Sequence, residues 1–148
     1  MTRKFGFLFG LSMSVLFLNA AGVQAEALTP KETYLKYRAA LPAAQKIEDV
    51  SSFMCKRVNE EIKGTPADMK PMMFGFIKET APKTVQILSE EVKGDNATLV
   101  LTGKSEPEVQ NGNKVKEDTK GKVTFLKEDG VWKIDKESWD SKVKVGGD

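Results

Sequence analysis

Apolar positions recur every three to four residues up to about Thr84 and every second residue after it. The first half therefore predicts helices. "TPKE" at residues 29–32 has the form of a capping box with Pro30 at the first helical position, and Tyr34, Tyr37, Arg38 and Leu41 follow at helical spacing until Pro42 interrupts. A second helix is predicted from the stripe Ile47, Val50, Met54, Val58 and Ile62, with Gly64 as its stop. "TPAD" at residues 65–68 repeats the start signal. Met69, Met72, Met73, Phe76 and Ile77 then form a third apolar face, which Ala81-Pro82 closes.

The second half predicts four strands separated by Gly94-Asp95, Asn111-Gly112 and Asp129-Gly130. Loops this short join only antiparallel neighbours, so the strands form a meander. The fold class expected is α+β, with three N-terminal helices packed on a curved four-stranded antiparallel meander sheet. Loops of two, three and four residues pair Val92 with Ala97, Leu88 with Leu101, Leu101 with Val123, Leu99 with Phe125, Phe125 with Trp132, and Val123 with Ile134. One face then carries Leu88, Val92, Ala97, Leu99, Leu101, Val123, Phe125, Trp132 and Ile134. Val85, Ile87, Val100, Leu126 and Val131 fall on the other face. That face is either half-solvated, with scattered aliphatics, or the contact of a homodimer. "SEPEVQNGNKVKED" reads as a long polar hairpin tip whose charge protects an edge. The sequon at Asn96 sits at a strand start and is taken as coincidence.

The chain has 148 residues, and its first 25 do not fit this fold. Arg3 and Lys4 precede an apolar run at residues 5–18, and Val23-Gln24-Ala25 offers small residues for cleavage, the form of a secretory signal peptide. Cleavage after Ala25 would leave residues 26–148 as one domain, periplasmic or secreted, with no stable membrane anchor. It would also take the 23 basic residues to 21, equal to the 21 acidic ones. With no net positive charge and no basic stripe, a nucleic-acid partner is not expected.

Histidine is absent, which removes the commonest general base and most zinc and iron sites. Cys55 is the single cysteine, so an internal disulfide is impossible, and its place near an apolar helix face predicts a buried thiol. Met54, Cys55, Met69, Met72 and Met73 could in principle hold Cu(I), but their spacing is that of a packing stripe. No cofactor and no metal site is assigned.

The ending "GKVTFLKEDGVWKIDKESW" and the segment "ILSEEVKGDNATLVLTG" resemble two hairpins of small secreted bacterial members of the nuclear-transport-factor-2-like (NTF2-like, cystatin-like cone) superfamily. The resemblance covers the order of elements throughout and these two hairpins at residue level. It implies that a ligand would enter between the helices and the concave face of the sheet, and it is silent on activity, since this fold hosts enzymes and passive domains alike. Strand parity adds two charged residues to the inner face, Glu90 and Lys136. The chain is read as an exported, non-enzymatic binding or accessory domain, with a small apolar ligand lined by Tyr34, Tyr37, Phe53, Met73, Phe76, Glu90, Phe125 and Trp132. The alternatives are a small isomerase or lyase using Glu90 and a tyrosine, and a structural interaction domain acting as a homodimer.

Overall fold

The computed structural model describes residues 27–104, 108–110 and 113–145; the expected signal peptide, and residues 105–107 and 111–112 of the expected hairpin tip, lie outside the described residues. Helix α1 (Pro30–Ala40) is followed by a 3-10 helix (Ile47–Phe53), α2 (Lys56–Gly64) and α3 (Lys70–Thr80). Five strands follow among the described residues: β1 (Thr84–Lys93), β2 (Asn96–Lys104), β3 (Glu108–Gln110), β4 (Asn113–Glu128) and β5 (Val131–Val145). The class is α+β with an antiparallel meander. β2 and β3 lie successively along one side of β4, and β5 pairs along its other side.

The capping box of α1 forms as its residue types require. Thr29 Oγ1 accepts from the Glu32 amide at 3.1 Å, and the Glu32 carboxylate accepts from the Thr29 amide at 2.8 Å. The second predicted helix is two helical segments. Met54 leaves the helical path to form a parallel bridge with Ile134, and the Cys55 amide donates to the Ile134 carbonyl at 2.9 Å. Among the described residues there are thus four helical segments where three were expected. In α3 the buried residue is Phe74, with Met73 and Ile77 half-buried, while Met69, Met72 and Phe76 are exposed. The stripe read from the methionines is therefore turned toward solvent for most of its length.

Carboxylates on the sheet fasten the helices. Glu90 Oε1 accepts from the Lys31 amide at the start of α1 at 3.1 Å, and Glu128 accepts from the Lys56 amide at the start of α2 at 3.0 and 3.2 Å. Negative charge at a helix N-terminus offsets both its unpaired amides and the positive end of its dipole.

Three registers differ from those read from the sequence. The last hairpin turns in two residues, with φ of 51° at Asp129 and 80° at Gly130, so Lys127 pairs with Trp132 and Phe125 with Ile134. Positive φ at both positions makes a turn whose twist matches the strands, which favours it over a four-residue loop. In the middle hairpin Leu99 faces Val123 and Leu101 faces Gly121, a shift of two residues that leaves each side chain on its expected face.

The third difference changes faces. β1 bulges between Ile87 and Ser89, and β5 pairs irregularly where Thr124 faces Lys136 but Phe125 faces Ile134. In β1, Ile87 rather than Leu88 pairs with Leu101, so Val85 and Ile87 pack on the core while Leu88 is exposed; Val92 keeps its predicted partner Ala97 but lies in the open. In β5 the extra residue is Asp135. Beyond it Lys136 faces outward and Glu137, opposite Val123, faces in.

A cluster at Asp135 holds the second bulge. Its Oδ1 accepts from Arg57 Nε at 3.1 Å, from Arg57 Nη2 at 2.9 Å and from the Cys55 thiol at 3.5 Å. Arg57 Nη2 also donates to the Asp135 carbonyl at 2.7 Å. Burial by itself would raise the Asp135 carboxyl, but the hydrogen bonds from Arg57 and Cys55 together with the Arg57 charge take it below its ordinary value. Cys55 is fully buried, and burial pushes its thiol up, away from the reactive thiolate.

Candidate functional site: a cleft between α1, α3 and β5

The inner face of the sheet meets the helices over a core built from Leu99, Leu101, Val123, Phe125 and Ile134 on the sheet side and Tyr34, Tyr37, Val50 and Phe74 on the helix side. Phe125 is 1 % exposed and Trp132 is 7 % exposed, with Lys127 Nζ 5.4 Å from the centre of the Trp132 ring. Both aromatics belong to the buried core between the sheet and the helices.

A cleft opens beside the middle of β5, between it and α1 and α3. Its volume is about 470 Å³. Leu41, Ile77, Ala81 and Trp139 make its apolar wall, Phe76 stands at its lip, and Tyr37, Arg38, Thr80 and Glu137 bring polar atoms to it. Of the eight residues proposed from the sequence, this cleft gathers Tyr37 and Phe76. Tyr34 lies behind it, Phe53 packs edge-on to Tyr37 with ring centres 6.0 Å apart, and Met73 is half-buried against the core. Phe125 and Trp132 do not line it. Glu90 shares the face of Leu99 as expected, yet it is exposed and bound to the α1 amide.

The carboxylate at the cleft is Glu137, delivered there by the Asp135 bulge. Its Oε1 accepts from the Tyr34 hydroxyl and from Trp139 Nε1, each at 2.8 Å. Trp139 in turn lies over Gly121, its cross-strand partner. A Cβ on Gly121 would stand 2.5 Å from the indole ring, so only glycine leaves room for it. Tyr34, Glu137, Trp139 and Gly121 thus form one fixed group at the floor. Replacing Glu137 with Leu would leave the buried Tyr34 hydroxyl without its acceptor, at an expected loss of about 1–3 kcal/mol in unfolding free energy. Glu137→Gln keeps an amide oxygen in place and should lose less. Equal losses for the two variants in urea denaturation would contradict this bond.

Burial is the main reason both phenols are held protonated far above the ordinary tyrosine value, and the Glu137 charge adds to it. Since the folded pKa lies above the unfolded one, stability is constant below the unfolded value of about 10 and falls as pH rises past it, where only the unfolded chain releases the protons. Tyr34 and Tyr37 are the only tyrosines in the chain. Tyrosinate absorbance is therefore expected to appear together with unfolding. Smooth ionisation near pH 10 with the circular dichroism unchanged would contradict the burial of the pair.

Arg38, Leu41, Ile77, Thr80, Ala81, Glu137 and Trp139 were missed as site residues. A signal for the last two was present: Trp132 and Trp139 are an odd number of positions apart, so an unbroken strand cannot bury both on one face. Among the described residues no group of three or more Cys, Asp or Glu side chains gathers where a metal could be held, and no described helix is long and apolar enough to cross a membrane. No family model, curated protein or solved structure matches this chain.

Proposed function

We propose that this protein is an exported, non-enzymatic binding domain that holds a small molecule in the cleft between α1, α3 and the middle of β5. The observation that carries the reading is the cleft itself: an apolar pocket of about 470 Å³ with a few convergent polar groups, the size and make-up of small-molecule sites. Phe76, 65 % exposed at the lip, is apolar surface that an occupant would cover. Export rests on the leader at residues 1–25. The resemblance to the cone-shaped superfamily supports the same reading, since it implies a ligand between the helices and the sheet.

Proton-transfer chemistry has less support. A base-and-acid pair must face one substrate, whereas Glu90 is bound to the Lys31 amide and the Tyr34 hydroxyl donates to Glu137. Glu90→Gln is accordingly expected to leave ligand retention unchanged. A second reading, a homodimer through the outer sheet face, is favoured by the exposure of Val100 and Val131 there. Native mass spectrometry of residues 26–148 from an exporting host tests both readings. A mass excess that disappears on denaturation supports the binding domain, and a bare dimer at every concentration supports the interaction domain instead.

A further inference from the structure

The large cleft adjoins a second, smaller one of about 260 Å³, and the two share Arg38, Leu41 and Ala81 in their walls. The charges of the two spaces differ. The larger holds the Glu137 carboxylate at its sheet end, already engaged by two donors. The smaller, on the helix side, is lined by the cations Arg38, Lys78 and Lys83 and, among the described residues, by no acidic one. Lys78 Nζ donates to the carbonyls of Pro42 at 3.1 Å and Ala44 at 2.9 Å, so its positive charge is fixed beside the opening. Arg38 is half-buried, and one Nη2 bond to the Pro82 carbonyl orients its guanidinium. A guanidinium has five N–H donors, and among the described residues the others of Arg38 meet no protein acceptor.

We infer that the paired clefts take a single-chain amphiphile with an anionic head, the chain lying along Leu41, Ile77, Phe76 and Trp139 and the head at Arg38 and Lys83. This inference rests on the larger cleft being a ligand site. Two features select the ligand class. An apolar wall next to a basic opening without a counter-charge favours a molecule that is apolar along its body and negative at one end. The planar fork of Arg38 suits a head with two coplanar or tetrahedral oxygens, such as a carboxylate or a phosphate monoester. A cationic amphiphile would place its charge among three like charges, and a neutral one would leave the Arg38 donors unmatched.

Isothermal titration of the purified protein with decanoate, decanol and decyltrimethylammonium, each below its aggregation concentration, tests the inference. Decanoate should bind at least about tenfold more tightly than decanol, the factor expected of a hydrogen bond to a charged group, and decyltrimethylammonium should not bind. Arg38→Gln should remove that preference. Because Arg38 also holds the Pro82 carbonyl, Lys83→Gln provides a second variant with no bond to the fold among the described residues, and it should weaken decanoate by a few-fold with the melting temperature unchanged. Equal affinity for decanoate and decanol would overturn the anionic head while leaving the cleft as a ligand site. Binding of none of the three would overturn the cleft itself. Attachment to anionic phosphatidylglycerol vesicles without binding of dissolved decanoate would overturn the inference in favour of surface attraction to a membrane.

Discussion

Insertion of one alanine between Asp135 and Lys136 is expected to abolish cooperative folding, or to lower the unfolding free energy by at least about 4 kcal/mol. Asp135 is the one unpaired member of β5, and beyond it Lys136 pairs with Thr124 and Glu137 with Val123. With the added residue opposite Thr124, Lys136 would turn toward the core opposite Val123, while Glu137 and Trp139 would turn out. The Tyr34 hydroxyl would lose its acceptor, a change worth about 1–3 kcal/mol. Eversion of an indole adds a loss comparable with a large-to-small aromatic change, about 3–5 kcal/mol if its burial were complete and less for half-buried Trp139. Against the 5–15 kcal/mol typical of a domain, this sum leaves little, and thermal unfolding followed by circular dichroism reads it directly. A sharp transition within a few degrees of the parent protein would show that the interior does not depend on the parity set at the bulge. Deletion of Asp135 is the milder control, because Lys136 then follows Ile134 directly, Glu137 and Trp139 keep their inward faces, and only the Arg57 and Cys55 bonds at Asp135 are lost.

Phe125→Ala is expected to lower the unfolding free energy by about 3–5 kcal/mol, the range for a fully buried aromatic whose removal leaves a cavity. Phe125 lies at the centre of the sheet's inner face, between Ala97 on one neighbouring strand and Ile134 on the other. Phe76→Ala, at the lip of the cleft, should change stability by no more than about 0.5 kcal/mol. The contrast separates packing from binding among the chain's aromatics. Should Phe125→Ala be tolerated at small loss and alter ligand retention, that residue would belong to a ligand site after all.

The capping box at residues 29–32, the ends of α2 and α3, the meander order and the inner-facing Ala97, Leu99, Leu101, Val123 and Ile134 were legible because each follows from local chemistry or from parity alone. A two-residue error in a hairpin does not change parity, so the core survived two misjudged registers. The bulges were not allowed for, and they decide the site. In β1 the apolar positions Val85 and Ile87 are odd while Leu88 and Val92 are even, and in β5 Trp132 and Ile134 are even while Trp139 is odd. Such a change of parity within one strand is what a single extra residue leaves in a sequence. What holds Asp135 as the extra residue comes from Arg57 and Cys55, about 80 positions earlier, and no local pattern shows it. The same holds for Glu90. Its parity was read correctly, yet its partner is an amide 59 positions away in α1.

One extra residue in β5 turns Glu137 and Trp139 into the protein and so builds the floor of the cleft. Nuclear Overhauser contacts from the Trp139 indole in solution read this arrangement. Strong contacts are expected from its ring protons to the Gly121 Hα protons, together with slow exchange of the Nε1 proton that donates to Glu137. Contacts instead from the Lys136 side chain to Val123, with a rapidly exchanging Trp139 indole, would show an unbroken strand and remove the cleft on which the proposed function stands.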